Sequence, residues 1–261
     1  MDKEKDRGQV LVLAAMEKES VAIRHNLAMA QLRADVFDTG IGKVNAAIWT
    51  TAMLFGRVAD DKRTVQIPDC VLSVGCSGAL DASLKPGDVV VGTDTAYWDV
   101  DCGVGCWPGQ IQGMPPCFPC DLCLRDMIFD ELKRDWFRPK WGAMLTGDQF
   151  IMDDLTASRL RKTFPVGTTI DMETAAVAQT CWRFAVPFAA VRVISDTPDS
   201  GEHRSRAEEY HEFWKDGGTA SRFAFVRAAV RGAQAFARYL CDHRANVAEV
   251  EKGLTQCLAG V

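Results

Sequence analysis

Short runs of apolar and β-branched residues alternate along this chain with stretches that have helical periodicity. Strands are predicted at Val10–Ala14, Ala34–Thr39, Cys70–Val74, Val89–Thr93, Ala143–Thr146 and Phe188–Ile194. Helices are predicted from the first strand to about Ala30, from Asn45 to about Phe55, and over Leu122–Trp136, Ala175–Phe184 and Gly218–Leu240. Strands that are apolar throughout are typically buried on both faces. The alternation therefore predicts an α/β fold with helices packed on a central sheet.

The pattern continues without an internal repeat or an interdomain linker. It predicts one domain over residues 1–261, with a flexible N-terminal tail at residues 1–9. A length of 261 residues is also compatible with two small domains. The apolar content of 48% and the charged content of 25% are ordinary for globular proteins and argue against wholesale disorder.

Two acidic clusters flank one helix–strand unit within Gly167–Asp199. Asp171-Met172-Glu173 precedes the helix, and Ser195-Asp196 ends the following strand, where ligands bind in open α/β sheets. Glu19 lies in the first turn of the helix after the first strand, so it belongs to the same rim. Acidic residues are also common at helix N-termini and strand-end turns, so a purely structural role fits the pattern as well.

Two glycine-containing segments follow predicted strands. Gly40-Ile41-Gly42 suggests a dinucleotide fingerprint, but Asn45 stands where its third small residue belongs. Gly75-Cys76-Ser77-Gly78 is predicted to be a turn whose small residues let backbone amides approach a ligand. A tight exit from the strand explains the same residues.

The region Trp98–Asp121 is irregular, aromatic and proline-rich, which is typical of a lid, a binding loop or a subunit contact. Half of the ten cysteines in the chain lie in this region or directly after it: Cys102, Cys106, Cys117, Cys120 and Cys123. The two-residue spacing of the last three suits a structural zinc or an iron–sulfur site, but no histidine lies nearby. Reduced free thiols are the alternative that we expect.

The charge and the hydropathy pattern argue against two classes of partner. A formal net charge of -5 without a concentrated basic patch does not favour a nucleic-acid binder. The charged segment Met1–Gln9 and the short apolar run after it do not form a signal peptide or a membrane span. We therefore expect a soluble, cytoplasmic protein.

The order of the motifs resembles the nucleoside phosphorylase/nucleosidase superfamily, and within it the 5′-methylthioadenosine/S-adenosylhomocysteine nucleosidases. The motifs that carry the resemblance are AAMEKES, TGIGKVNAA, SVGCSGALDASLKPGDVVV, YWDVD, GQIQGMP, TGDQFI, IDMETAAVA and VPFAAVRVISD. It extends from the first strand to Asp196 and fades in the C-terminal helices. It implies a three-layer α/β/α sandwich with a central mixed sheet, and hydrolysis of the N-glycosidic bond of 5′-thio-substituted adenosines without a metal or a cofactor.

The resemblance also implies a role for each matching residue. Glu19 matches the acid/base that activates water, and Arg192 the arginine near the water site. Asp196, oriented by Ser195, matches the acid that protonates adenine N7. Glu173 matches the carboxylate that holds the ribose hydroxyls. The remaining expected substrate contacts are Ala15, Met16, Ile41, Cys76, Gly78, Phe150 (stacking on adenine), Ile151 (through its backbone), Met172 (on the sugar), Trp107 and Tyr210.

Several positions depart from the family pattern. Cys76 replaces a serine at the ribose and water site, and Gln112 replaces a proline of the thioalkyl pocket. In the aromatic lid, Val104 or Gly105 and Trp107 stand where phenylalanine and tyrosine are usual, and Tyr210 is a candidate for the missing aromatic wall. The segment between the first helix and Gly40 is also shorter than usual. These departures leave the 5′-substituent open.

The resemblance further implies a homodimer with the 98–121 loop at the interface, and a role in methionine salvage. Three other functions compete with the nucleosidase. A phosphorylase needs cationic groups for phosphate, but Ser73 stands where similar phosphorylases have an arginine. A non-catalytic nucleoside-binding protein would not require Glu19, Glu173 and Asp196 together. An oxidoreductase rests on Gly40-Ile41-Gly42 alone.

Overall fold

The computed structural model describes residues 9–30, 34–56, 68–135, 137–151, 153–197, 225 and 227–235. Its strands are β1 (Val10–Ala14), β2 (Asp35–Asp38), β3 (Cys70–Ala79), β4 (Val89–Tyr97), β5 (Phe118–Pro119), β6 (Lys140–Thr146), β7 (Gly167–Asp171) and β8 (Phe188–Asp196). Its helices are α1 (Glu17–Met29), α2 (Lys43–Leu54), α3 (Leu122–Arg134), α4 (Asp154–Thr163) and α5 (Thr174–Arg183), and residues 227–235 are also helical. Every strand predicted from the apolar runs is therefore present.

The sheet is mixed, and part of it closes on itself. β1 pairs in parallel with β2 and with the first half of β3. β3 also pairs in parallel with β8, β8 pairs antiparallel with β4, and β4 pairs in parallel with β6. β7 pairs in parallel with β6 and returns antiparallel to the end of β3. β3, β8, β4, β6 and β7 thus form a closed ring, to which β1 and β2 add an open extension.

Helices cover both faces of the extension. Val10, Val12 and Ala14 of β1 pack in the core that includes residues of α1, α3 and 227–235. Leu11 and Leu13 point to the other face and pack in the core that includes α2 and α5. This division follows from the alternation of side chains along a strand. It produces three layers, as the resemblance implied. α4 packs separately through Ala157 and Leu160.

The structure corrects the prediction of a turn at Gly75–Gly78, because these residues continue β3. Small residues have low strand propensity, but β7 and β8 pair with this half of β3 on its two sides. The neighbouring strands therefore override the local preference. A shift in register between Ser77 and Gly78 marks the point where β3 bends into the ring.

Besides the two-residue strand β5, which lies in the region that was expected to be irregular, two elements were not predicted. β7 carries the sequence GTTID and therefore lacks a long apolar run. α4 is mostly polar, and the described burial in it is limited to Ala157 and Leu160. Neither element has a strong apolar pattern, so the sequence did not predict them. β7 is stabilised by pairing with β3 and β6, and α4 by packing through Ala157 and Leu160.

A cluster of ion pairs joins α3 to the helical residues 227–235. Arg227 donates to both carboxylate oxygens of Asp135, and Nη2 of Arg231 lies 2.9 Å from Oδ1 of the same residue. Nη1 of Arg231 also lies 3.3 Å from Glu131. The hydrogen bond from Arg231 and that from Arg227 hold the pKa of Asp135 below its ordinary value, against the effect of burial.

No helix in the described part of the chain is long and apolar enough to cross a membrane.

Candidate active site

Two small cavities lie beside each other where the ring meets the β1–β2 extension. The first, of about 20 Å³, is lined by Ala15, Glu19, Thr39, Ser73, Gly75, Cys76, Glu173 and Arg192, together with apolar residues of β1 and α5. The second, of about 30 Å³, is lined by Gly78, Gln149, Phe150, Ile151, Ile170, Asp171, Met172 and Asp196. The fold thus brings together the acidic residues that were predicted to lie at the ends of two strands and at the start of a helix.

Glu19 is fixed by three backbone amides. Its Oε2 accepts hydrogen bonds from Ala15 (3.1 Å) and Met16 (3.0 Å), and its Oε1 accepts one from Cys76 (3.0 Å). Met16 is the N-cap residue of α1, so Glu19 occupies the third helical position and bonds back to the N-cap amide. The side chain is buried, and burial raises the pKa of Glu19, while the amide of Cys76 and the charge of Arg192 oppose the rise. A carboxylate in this setting is a stronger base than one in water.

Glu173 lies across the first cavity from β1. Its Oε1 accepts a hydrogen bond of 2.8 Å from the amide of Gly42. Gly42 has a φ of 97°, a conformation that favours glycine, and this turn directs its amide toward the carboxylate. Burial and the nearby Asp171 carboxylate raise the pKa of Glu173 to about 7. Its second oxygen is available to hydroxyl groups of a sugar.

A buried ion pair joins Arg192 to Asp171, a member of the acidic cluster to which the family resemblance assigned no role. Nε of Arg192 donates to Oδ2 of Asp171 at 3.1 Å, and both side chains are buried. Nη2 of Arg192 donates to Ser73 and to Thr174, and Nη1 to the carbonyl oxygen of Val191. Each nitrogen of the guanidinium group therefore has a partner in the protein.

Asp171 is also the acceptor for the start of α5. Its Oδ1 accepts hydrogen bonds from the hydroxyl of Thr146 (2.7 Å) and from the amides of Glu173 (3.1 Å) and Thr174 (3.0 Å). Because one of these amides belongs to Glu173, Asp171 positions that residue. Acceptance of amides at the start of a helix is the structural role that the sequence analysis offered for this acidic cluster, and Asp171 has it.

Asp196 is the last residue of β8 and is almost fully buried. The hydroxyl of Ser195 lies 2.8 Å from its Oδ1 and 3.3 Å from the carbonyl oxygen of Ser77. Gly78 pairs with Asp196 across β3 and β8, and a Cβ at position 78 would lie 2.8 Å from Oδ2 of Asp196. Glycine at this position therefore makes room for the carboxyl group, a reason that the sequence pattern did not reveal.

The other predicted contacts lie at different distances from this centre. Phe150, Ile151 and Met172 line the second cavity, and Ala15 and Cys76 line the first. Met16 contributes the amide that binds Glu19, and Ile41 is 54% exposed next to Gly42. Trp107 lies at neither cavity but at a larger one, of about 560 Å³, between residues 98–109 and α4. Tyr210 is outside the described residues.

The cysteines do not form a metal centre in the described part of the chain. Cys102, Cys106, Cys117, Cys120 and Cys123 are free thiols, and no group of three or more potential ligands comes together among the described residues. Burial raises the pKa of Cys120 to about 12. Burial and the Glu19 carboxylate also raise the pKa of Cys76 well above its ordinary value, so this thiol is neutral in the first cavity.

Comparisons with known proteins agree with this architecture. Residues 19–231 match the model of the phosphorylase superfamily. The 5′-methylthioadenosine/S-adenosylhomocysteine nucleosidase of Staphylococcus aureus (strain JH9) is 36% identical over 178 residues, which are 68% of this chain and 74% of the relative.

Solved structures extend the similarity. The nucleosidase of the same name from Neisseria meningitidis, in complex with methylthio-immucillin-A, superposes with a TM-score of 0.72 and 26% identity, over 87% of this chain and 99% of that one. The futalosine hydrolase of Helicobacter pylori shares the fold, with a TM-score of 0.69 and 21% identity over 90% of this chain and 98% of its own. The predicted nucleoside phosphorylase-like fold is thereby confirmed. The chain belongs to the phosphorylase superfamily and, within it, to the family of 5′-methylthioadenosine/S-adenosylhomocysteine nucleosidases.

Proposed function

We propose that this protein hydrolyses the N-glycosidic bond of 5′-thio-substituted adenosines, with methylthioadenosine and S-adenosylhomocysteine as substrates, to give adenine and the thioribose. The observation that carries the proposal is the convergence of three buried carboxyl groups, Glu19, Glu173 and Asp196, on two adjoining cavities. Family membership supports the same activity, since the curated relative carries that name.

The two cavities divide the reaction between them. In the second, Asp196 donates a proton to N7 of the adenine, which stacks on Phe150 and meets the backbone of Ile151. Protonation makes adenine a better leaving group, so the bond from C1′ to N9 breaks toward an oxocarbenium-like sugar. A positioned acid of this kind contributes roughly 10²–10⁴ in rate. The geometry of Ser195 beside Asp196 supports this assignment.

In the first cavity, Glu173 binds the ribose hydroxyls and Glu19 takes a proton from the attacking water. The oxygen of that water bonds to C1′, and its proton remains on Glu19 until it passes to solvent. The three amide hydrogen bonds to Glu19 and its raised pKa suit a group that must stay in place while it gains a proton. Carboxylates on both sides of the sugar also stabilise its developing positive charge.

The first cavity favours water over phosphate. Ser73 occupies its floor, where it accepts a hydrogen bond of 2.9 Å from Arg192. Each nitrogen of Arg192 already has a protein partner, so this arginine is not set up to bind a phosphate group. Phosphorolysis is therefore the second candidate.

The 5′-substituent is not determined by the fold, because a futalosine hydrolase shares it. The family lid is altered at Val104 or Gly105 and at Trp107, and Gln112 replaces a proline, so 5′-deoxyadenosine is also a candidate substrate. The exposure of Trp107, at 72%, and of Val104 fits a loop that reaches toward a neighbouring subunit.

We also propose that the chain is one domain that acts as a homodimer, with the 98–121 loop at the interface. α2 supports an interface in this region, since Val44 and Ile48 on the helix, with Ile41 just before it and Phe55 just after it, expose apolar side chains. Methionine salvage in the cytoplasm follows from the substrate class. The eight cysteines that the structure describes are free thiols, as expected in a reducing compartment.

The test is release of adenine from methylthioadenosine and from S-adenosylhomocysteine, measured by chromatography with and without phosphate. We expect release without phosphate, together with a free thioribose product. Release that requires phosphate would make the protein a phosphorylase. If folded protein releases no adenine from either nucleoside or from 5′-deoxyadenosine, the proposal is wrong.

A further inference from the structure

Lys43, the first residue of α2, joins the Gly40–Gly42 turn to the loop after β4 and to the loop after β6, which lines the second cavity. Its ammonium group lies 2.8 Å from each carboxylate oxygen of Asp99 and 3.3 Å from Oδ2 of Asp148. Asp99 begins the long loop after β4, and Asp148 belongs to the short segment after β6. Lys43 itself follows the Gly40–Gly42 turn. We call these three side chains the Lys43 cluster.

Backbone amides add to the Lys43 cluster. The amide of Asp148 donates to Oδ2 of Asp99 at 2.8 Å, and the amide of Lys43 donates to Oδ1 of Asp148 at 3.2 Å. The N-cap residue of α2 is Gly42, which has no side chain to bond the first amides of the helix. Asp148 supplies that acceptor from another loop, and its negative charge is favourable at a helix N-terminus.

The Lys43 cluster is connected directly to the groups that we assign to the substrate. Gly42, the residue before Lys43, donates its amide to Glu173. Gln149, Phe150 and Ile151 follow Asp148 and line the second cavity. Any movement of the cluster therefore shifts both the amide that holds the ribose carboxylate and the aromatic ring that stacks on adenine.

The charge balance of the cluster depends on Lys43. The side chains of Lys43 and Asp99 are only 20% and 16% exposed, so solvent screens this pair less than an ordinary surface pair. Without the ammonium group, Asp99 and Asp148 would face each other as two carboxylates with no cation between them. Repulsion between like charges would then separate the two loops.

We infer that Lys43 is a positioning residue, which holds the loops after β4 and β6 against the start of α2 so that the nucleoside site is preformed. The inference rests on the proposed function, because it concerns the site for adenine and ribose. It adds a part of that site that touches neither the sugar nor the base.

The experiment compares wild-type protein with Lys43→Met and with the triple variant Lys43→Met/Asp99→Asn/Asp148→Asn. Lys140→Met is the matched control, because Lys140 pairs with Asp88 at 3.3 Å at the opposite end of β6. For Lys43→Met we expect KM for methylthioadenosine to rise on the order of tenfold, a larger change than that in kcat. The triple variant should recover part of this loss, since it also removes the repulsion, and Lys140→Met should behave as wild type.

Amide hydrogen exchange provides a second readout that needs no turnover. Exchange in residues 98–101 and 147–151 should be faster in Lys43→Met than in wild type, and close to wild type in Lys140→Met. An unchanged KM with unchanged exchange would overturn the inference. A wild-type protein that releases no adenine would instead overturn the proposed function, and the exchange rates would still decide whether Lys43 holds the loops.

Discussion

The three carboxyl groups of the site are each held by different partners, and this gives them different chemistry. Glu19 is bound by three amides, whereas Glu173 has the single amide of Gly42 and lies near a second carboxylate, Asp171. Asp196 has the hydroxyl of Ser195 beside it. Its carboxyl group has room on the other side because residue 78 is glycine and carries no Cβ. Different surroundings of this kind are what the proposed roles of base, sugar ligand and acid require of three groups of one chemical type.

Asp196→Asn tests the assigned acid. Asparagine keeps the shape of the side chain but cannot deliver a proton, so turnover of methylthioadenosine should fall by roughly 10²–10⁴. The thermal unfolding temperature should stay close to that of wild type, and Asp126→Asn, at an exposed position of α3, should keep full activity. Near-normal turnover in the Asp196 variant would contradict the assignment.

Glu173→Gln tests the raised pKa of Glu173. In the unliganded protein this pKa is about 7, against an ordinary value of 4.5, so the folded state binds the proton more tightly than the unfolded state. The resulting stabilisation is complete below pH 4.5 and is lost as the pH rises to about 7. Glutamine does not titrate, so the variant does not lose stability in this way as the pH rises.

The measurement is urea unfolding of the unliganded wild type and variant between about pH 4.5 and 8. The stability of Glu173→Gln relative to wild type should increase through this range and level off above about pH 7, with a total change on the order of 3 kcal/mol. Glu19 is present in both proteins, so most of its contribution cancels in the difference. A difference that does not vary with pH would show that the carboxyl group is not perturbed in this way.

At the scale of elements, the packing of α3 against the helical residues 227–235 should depend on pH through the ion pairs of Asp135 with Arg227 and Arg231. The pKa of Asp135 is below its ordinary value of 3.8, so its contribution to stability is present above that value and is lost as the pH falls through the lower folded pKa. Because Arg227 and Arg231 are partly exposed, we expect Asp135→Asn to cost about 1 kcal/mol at neutral pH.

Urea unfolding at pH 7 and at pH 3 checks this expectation. The destabilisation by Asp135→Asn should shrink at the lower pH, where wild type has begun to lose the same interaction. Asp126→Asn, on the exposed side of α3, is the control and should change stability little. An equal cost at both pH values would mean that the cluster does not respond to acid.

The elements that could be predicted are those with a strong pattern of their own. β1, β8 and α5 have apolar runs or helical periodicity, and each was expected within a few residues of its observed bounds. β7 and the second half of β3 consist largely of small or polar residues, and they are strands because their neighbours pair with them. Information of this kind belongs to the tertiary structure, so no local pattern contains it.

The residues of the candidate site also divide into those that the sequence predicted and those that only the structure revealed. Glu19, Glu173 and Asp196 were assigned from the resemblance, and the structure brings them to one place. Lys43 was not assigned, and neither was the ion pair of Asp171 with Arg192, since both depend on contacts with residues distant in sequence. The reason for glycine at position 78 also became visible only when β8 was placed beside β3.

At the scale of the whole molecule, the proposed dimer can be tested through α2. Ile48 is 59% exposed on this helix, so Ile48→Glu should place a charge in the interface and shift the protein toward monomers. Sedimentation over a range of concentrations measures the shift. Val166→Glu, at a position that is 75% exposed and away from α2, should leave the assembly unchanged. If the proposed dimer forms equally well in both variants, α2 does not contribute to the interface.

The ring of strands has a consequence for the order in which a growing chain can acquire structure. Synthesis delivers β3 and β4 well before β8, the strand that lies between them in the finished ring. Until β8 leaves the ribosome, the edges of β3 and β4 that it will cover remain open to other partners. Asp196 is the last residue of that strand. A nascent chain therefore closes the ring and receives the proposed acid in the same step, while the helical residues 227–235 that pack on the sheet follow later.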